Sequence, residues 1–343
     1  MKIAFISTNQ GFCGSILEEL RRYHTIRNYK PTKSEIINWI NLQGLLNWCD
    51  LVYFDFIQPP MPEITQLQSV DVPIVARMDG IDILMHTLID WRKVNALILM
   101  PVQRKRLMRL RKMWALQNPG ERLTSLPTKI LERNVGIDLS LFQPDYIRSP
   151  GYNIIIHAST VRPTKRIYTA IQCFYDLITR DPDKPWKLIL IGNYTFHPYD
   201  EYLMAIEELI EAYDLPEERL AIITQDLPRD EWANFIRKQD VYWCMSFREG
   251  FPNSLGEAMA SGVFPIINHF YGAELLYDAH YLVKSPSELV VSTMIWGHSS
   301  DETKAKCRLD AREAIMGYDR HKVAVEIREL CEEVLEEWNA KSA

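Results

Sequence analysis

The stretch Val241 to Gly262, VYWCMSFREGFPNSLGEAMASG, decides how this chain is read. Val241 to Phe247 is apolar except for Ser246, the pattern of a strand covered on both faces. After Ser254, LGEAMASG reads as a short helix of small residues, and a Gly/Pro/Asn turn lies between the two. A strand that passes through such a turn into a helix leaves backbone N–H groups at the carboxyl edge of a sheet, where they attract anions. Glu249 and Glu257 bracket the turn, eight positions apart. Carboxylates repel phosphate but accept hydrogen bonds from hydroxyls, so the stretch suits a ligand carrying both phosphate and sugar. A second reading stands beside this one: Ser254 and Glu257 spell an S-x-x-E capping box, with Glu257 returning to the Ser254 amide.

The 343 residues suit two domains, and 47% apolar with 24% charged residues describes a globular chain. No apolar run is long enough to span a bilayer, and MKIAFIS reads as a strand rather than a leader peptide. Six scattered cysteines with no C-x-x-C pair fit a reducing cytoplasm. Residues 1 to 145 hold 18 Lys/Arg against 14 Asp/Glu, and the remainder 21 against 31. So acidic a whole speaks against nucleic acid as a partner.

Strand and helix signals alternate along the chain. Lys2 to Ser7, Asp50 to Phe56, Pro73 to Met78, Ala96 to Met100 and Lys129 to Asn134 read as strands, with helices at Ser15 to His24 and Glu35 to Trp48. After Pro150 and Gly151 the rhythm restarts. Asn153 to Ser159, Lys187 to Gly192, Arg219 to Thr224, Val241 to Phe247, Val263 to Asn268 and His280 to Val283 are strands, separated by helices from Lys165, Asp200 and Arg229. The pattern predicts an α/β protein of two doubly wound Rossmann-like domains facing a central crevice. The expected division is 1–147, 148–318 and a C-terminal helix, 319–343, packing back on the first domain.

Several segments carry two readings. Gly11 and Gly14, in NQGFCGS, belong to no G-x-G-x-x-G or P-loop pattern, and allow either a turn or a close backbone approach to a ligand. Asp79 and Asp82 end a strand in DGID; Asp82 caps the following helix on one reading, and Asp79 is the better candidate for touching a ligand. Gln103 to Trp114 has six basic residues among Leu, Met and Trp. It reads as a helix lying on an anionic membrane through Arg104 to Lys112, or as a solvated basic face with Leu and Met in the core. Arg162 and Lys165, in HASTVRPTKR, stand at the sheet's carboxyl edge and suit a diphosphate. Asp181-Pro-Asp183 falls on the opposite edge and reads as a turn. Histidine spacing supports no metal site.

Taken in order, NVGID with Phe142 and Pro144, HASTVRPTKR, KLILIG and SFREGFPNSLGEAMASGVFPI resemble the retaining glycosyltransferases of family 4, which have the GT-B fold. The resemblance covers the second half well and the first loosely. It implies a metal-independent transfer from a nucleotide diphosphate sugar to an acceptor hydroxyl, with no cofactor. Glu257 would then hold the nucleotide ribose and Glu249 the donor sugar. Gly250, Phe251, Pro252, Asn253 and Ser254 would offer backbone groups to the sugar and diphosphate, and Arg162 and Lys165 would bind the diphosphate. Asp79 stands where many members have a histidine. A sugar-nucleotide epimerase of the same fold and a non-catalytic membrane or glycan-binding module are the alternatives. The base (UDP, GDP or ADP) and the acceptor are left open, and the expected location is cytoplasmic, peripheral to the inner membrane face if the basic helix binds lipid.

Overall fold

The computed structural model describes residues 1–7, 13–31, 38–67, 70–193, 199–225 and 227–342. The chain divides into two compact units, Met1–Gly136 with Tyr318–Ala343, and Ile137–Gly317. In the first, the strands are β1 (Lys2–Ile6), β2 (Thr25–Tyr29), β3 (Leu51–Phe54), β4 (Ile74–Arg77), β5 (Val94–Ile98) and β6 (Lys129–Leu131). Its helices are α1 (Gly14–Tyr23), α2 (Trp39–Trp48), α3 (Met61–Gln66) and α4 (Pro101–Gln117). The second holds β7 (Asn153–Ala158), α5 (Ile167–Arg180), β8 (Lys187–Gly192), α6 (Asp200–Ala212), β9 (Leu220–Ile223), α7 (Arg229–Ile236), β10 (Val241–Cys244), α8 (Asn253–Ala260), β11 (Phe264–Asn268), β12 (Leu282–Val283), α9 (Pro286–His298) and α10 (Asp301–Ile315). Helix α11 (Arg320–Ser342) returns to the first unit.

Among the described residues each unit is built on a six-stranded parallel sheet, ordered β2-β1-β3-β4-β5-β6 and β12-β11-β10-β7-β8-β9. Parallel strands need crossover helices, and these cover both faces, so the inner strands are apolar throughout. β3, β4 and β10 are buried at every position. Edge strand β2 is the exception: Thr-Ile-Arg-Asn-Tyr is half exposed, has no apolar run, and so gives no strand signal in the sequence. It is held by its register against β1, Ile3 opposite Ile26. α11 packs Val323, Ile327, Leu330 and Val334 against the Ile16, Leu17 and Leu20 face of α1, and Arg328 reaches the buried Glu19 at 3.1 Å. No disulfide joins the described cysteines, and no described helix is long and apolar enough to cross a membrane.

One close approach aligns the loop that leaves β7. A Cβ on Gly192, at the end of β8, would lie 1.8 Å from the Ala158 carbonyl oxygen, so only glycine lets the two strand ends meet. Gly192→Ala is expected to lower stability by about 3 kcal/mol, the upper range for overpacking. The urea midpoint of the purified variant reads this out, and an unchanged midpoint contradicts the packing argument.

Candidate functional site

In the second sheet β7 and β10 are neighbours, and the strand order runs away from them in opposite directions. Their following loops therefore leave the carboxyl edge side by side, the topology that opens a ligand site in doubly wound sheets. Residues 159–166 follow β7 and residues 245–252 follow β10. The Phe247 amide donates to the Thr164 carbonyl at 3.2 Å, which ties the two loops together. Arg166 donates to Asn268 Oδ1 at 3.2 Å, and Asn268 Nδ2 donates to the Ser246 carbonyl at 3.1 Å. Arg166 adopts φ 55° and ψ 37°, a left-handed conformation that costs a residue with a side chain on the order of 1–2 kcal/mol. That turn delays α5 to Ile167, two residues past the expected start at Lys165.

Arg162 precedes the 3₁₀ turn Pro163–Lys165, and Lys165 closes it. Arg162 is half-buried, and its Nε is buried without a hydrogen-bond partner. Lys165 Nζ lies 2.7 Å from Glu249 Oε1, with both side chains largely enclosed. A water-sized cavity of about 10 Å³ adjoins the pair, lined by His157, Ser246, Pro252 and Ser254 among others. Gly250, Phe251 and Pro252 are buried, while Asn253 and Ser254 are half-buried in the first turn of α8. The structure thus brings Lys165, Glu249 and the α8 start together, with Arg162 at the head of the turn that carries Lys165, although Lys165 and Glu249 come from two loops more than 80 positions apart.

The capping box does not form. Pro252 occupies the N-cap of α8 with no side-chain cap, so the helix starts before Ser254, whose hydroxyl instead pairs with the Tyr242 phenol at 2.8 Å. Glu257 consequently points away from the helix start. Its Oε2 accepts from Trp232 Nε1 at 2.7 Å and its Oε1 from Arg229 Nη1 at 3.2 Å. Burial pushes its carboxyl above the usual range, and Arg229 and the indole N–H oppose that rise. Sequence reading misses Arg166, Asn268, Arg229 and Trp232. Arg229 and Trp232 are three apart on one helix, a spacing that puts both on one face, but nothing local says which carboxylate they meet.

At the carboxyl edge of the first sheet, Asp79 caps the 3₁₀ segment Gly80–Thr87, and Asp82 completes a capping box by accepting from the Asp79 amide at 3.3 Å. Asp79 is 44% exposed and accepts from Gln103 Nε2 at 3.1 Å. Behind it Arg77, fully buried, donates through Nε to Asp55 at 2.8 Å and lies 3.4 Å from Asp79, while its Nη2 has no hydrogen-bond partner. Gly14 opens α1, and a Cβ there would meet nothing within 4 Å; Gly11 lies outside the described residues. On α4, Val102, Gln103 and Leu107 are buried, but Met108, Met113 and Leu116 are exposed among the basic residues, not packed in the core. Arg104 pairs with Glu132 at 3.0 Å, and Arg111 turns back to the Thr124 carbonyl. Asp181 is a buried acceptor for Trp186 Nε1 at 2.8 Å, at the amino edge of the second sheet. Among the described residues no group of three or more His, Cys, Asp or Glu is placed to hold a metal ion.

Residues 142–313 match the family model described as Glycosyl transferases group 1. No curated protein matches the chain. Among solved structures, sucrose-phosphate synthase from Thermosynechococcus elongatus is 14% identical with a TM-score of 0.75, over 98% of this chain and 99% of that one. HepE from Anabaena, solved with UDP and glucose, is 15% identical with a TM-score of 0.68, over 97% and 100%. A UDP-forming α,α-trehalose-phosphate synthase from Burkholderia xenovorans is 11% identical with a TM-score of 0.71, over 98% of each chain. At these identities the likeness concerns the fold, the two Rossmann-like domains of the GT-B class.

Burial, with Asp79 nearby, pushes the Asp82 carboxyl from 3.8 up to about 6. A carboxyl raised on folding contributes most when protonated: its stability is fully present below the unfolded value and lost as pH rises through about 6. Asp82→Asn keeps an acceptor oxygen and removes the buried charge. It is expected to exceed the parent in stability at pH 8 by on the order of 2 kcal/mol, with the difference closing toward pH 4. Urea unfolding at the two pH values measures this.

Proposed function

The chain belongs to the glycosyl transferases group 1 family, and from that premise we propose that it moves a sugar from a nucleoside diphosphate sugar to an acceptor hydroxyl, with retention and without a metal. The observation that carries this reading is the pairing of Lys165 with Glu249 beside the α8 start, across two tied loops, with Arg162 on the same turn as Lys165. Two cations and a helix N-terminus suit a departing diphosphate, and the carboxylate suits sugar hydroxyls. The Lys165 ammonium has three donors, so it can keep Glu249 and still meet a phosphate oxygen. Arg162 has an Nε to spare. The charge a metal would neutralise is thereby assigned to protein cations. On this reading the leaving phosphate takes the acceptor's proton, so no protein base is required. That UDP and glucose occupy the Anabaena structure of the same fold supports a nucleotide sugar as donor.

In the same reading the second unit binds the donor, with Glu257 on the ribose and the backbone of Gly250 to Ser254 near the diphosphate and sugar. The first unit takes the acceptor beside Asp79, and the open space at Gly14 suits a close backbone approach to a ligand. Arg162→Ala and Lys165→Ala should each cost about 2.7–4 kcal/mol of barrier, or 10²–10³ in kcat, by analogy with loss of an oxyanion donor. The donor is first chosen by thermal shift across UDP-, GDP- and ADP-sugars. Unchanged turnover in both variants overturns the diphosphate assignment, and epimer formation without acceptor overturns transfer.

We also read α4 as resting on an anionic membrane surface, which makes the protein peripheral at the cytoplasmic face. The exposure of Met108, Met113 and Leu116 beside Lys105, Arg109 and Lys112 supports this. Such a face gains from apolar insertion and about 1 kcal/mol per basic residue near anionic lipid. Wild-type protein should co-sediment with phosphatidylglycerol vesicles and not with phosphatidylcholine. Arg109→Glu combined with Lys112→Glu should abolish that binding while leaving donor affinity as it was.

A further inference from the structure

Glu257 is 8% exposed, yet both of its carboxylate oxygens are held from the same side. Trp232 and Arg229 are one helical turn apart on α7 and converge on this one group of α8. Each also packs on an aromatic ring. The Trp232 ring lies 4.9 Å from the His157 ring at the end of β7, and the Arg229 guanidinium lies 5.2 Å over the Phe142 ring. With Oε2 fixed by the indole and Oε1 by the guanidinium, the plane of the carboxylate is set. Each oxygen keeps further acceptor capacity. Two parallel acceptors at fixed separation match a pair of neighbouring hydroxyls, and a nucleotide offers such a pair only on an intact ribose.

We propose that Trp232 is a positioning residue for nucleotide recognition: seconded by Arg229, its indole N–H orients Glu257 to receive the 2′- and 3′-hydroxyls of ribose, making the site selective for ribonucleotides over 2′-deoxyribonucleotides. This rests on the donor-site reading above. Besides Arg229, Asp138 faces Glu257 and raises its carboxyl further, and the His157 ring lies behind the Trp232 ring. Hydroxyls donate to the ionised form. Affinity is therefore full above the raised pKa of Glu257 and falls as pH drops through it. Removing either donor moves that fall to higher pH.

The test is titration calorimetry with UDP, GDP and ADP and their 2′-deoxy counterparts across pH 5 to 8, on the wild type, Trp232→Phe, Arg229→Gln and Glu257→Gln. The wild type is expected to bind one ribonucleotide about tenfold or more tighter than its deoxy form, the size of one lost charge-assisted hydrogen bond. Trp232→Phe keeps the ring stack and should lose about that factor, narrow the discrimination and shift the pH profile upward. Arg229→Gln, at a half-exposed position, should shift the profile in the same direction and serves if the tryptophan variant fails to fold. Glu257→Gln should remove the part of the pH dependence that the Trp232 and Arg229 variants shift, leaving the part due to the nucleotide's terminal phosphate, which ionises at about 6. Wild-type affinity, discrimination and pH profile in the folded Trp232 or Arg229 variant overturn the inference and leave the donor site standing. Absence of binding by the wild type to all three diphosphates overturns the donor site itself, and this inference with it.

Discussion

The site depends on the parallel pairing of β7 with β10, Val241 opposite Ile154 and Tyr242 opposite Ile155. Every crossover in a doubly wound sheet turns the same way, so each strand-to-helix loop emerges at the carboxyl edge. Between most neighbouring strands a helix packs across the gap. At the β7–β10 seam the chain departs in both directions, and the loops themselves must meet. They do so through backbone, Phe247 to Thr164, and through the Arg166–Asn268–Ser246 relay. Beneath the seam β10 is locked by the buried Trp243 Nε1 donating to Thr293 of α9 at 3.0 Å. Rigid strands thus aim flexible side chains, and the strained backbone of Arg166 is tolerated because its partners over-determine it.

Buried charge is handled alike in both units. Arg77 and Asp55 are enclosed together, with Ser7 Oγ completing the carboxylate at 3.1 Å. Lys165 and Glu249 enclose each other, and Glu257 is held by an indole and a guanidinium. Taking one partner away from such a pair costs far more than the pair contributes, because a lone buried charge is left behind. These pairs are therefore poor evidence for stability and good evidence for placement. Each lies at or beyond a carboxyl strand end or on the helix that follows one, and each joins elements distant in sequence.

What was legible in the letters follows from range. Val241 to Gly262 announces strand, turn and helix because apolar runs, glycine and proline act locally, and the resemblance carried by its glutamates agrees, at the level of a glycosyltransferase, with the group 1 match over residues 142–313. The inner strands were readable for the same reason. β2 was not, since an edge strand needs only one partner and carries no apolar signature. The capping box misled because Ser254 and Glu257 have the right spacing, whereas Pro252 starts the helix earlier than a box would require. Trp232 and Arg229 were invisible as partners of Glu257, being 25 and 28 positions away on another helix. In α4 the basic residues were plain, but the outward Met108 and Met113 were not, because a helix with charge on most faces has no clear apolar side to read.

The uneven legibility of the two units has a chemical origin. A diphosphate and a ribose make fixed demands, for cations, backbone N–H groups and a carboxylate at set positions, and those demands leave a short ordered motif set. The family match spans the second unit and does not extend into the first. An acceptor hydroxyl asks only for a shaped polar surface, which many residue types supply. At the carboxyl edge of the first sheet Asp79 is held by Gln103 and backed by Arg77 and Asp55. Those four residues lie in three separate segments and spell no motif. Whole-chain likeness at 11 to 15% identity accordingly concerns the fold, two parallel sheets with apolar inner strands.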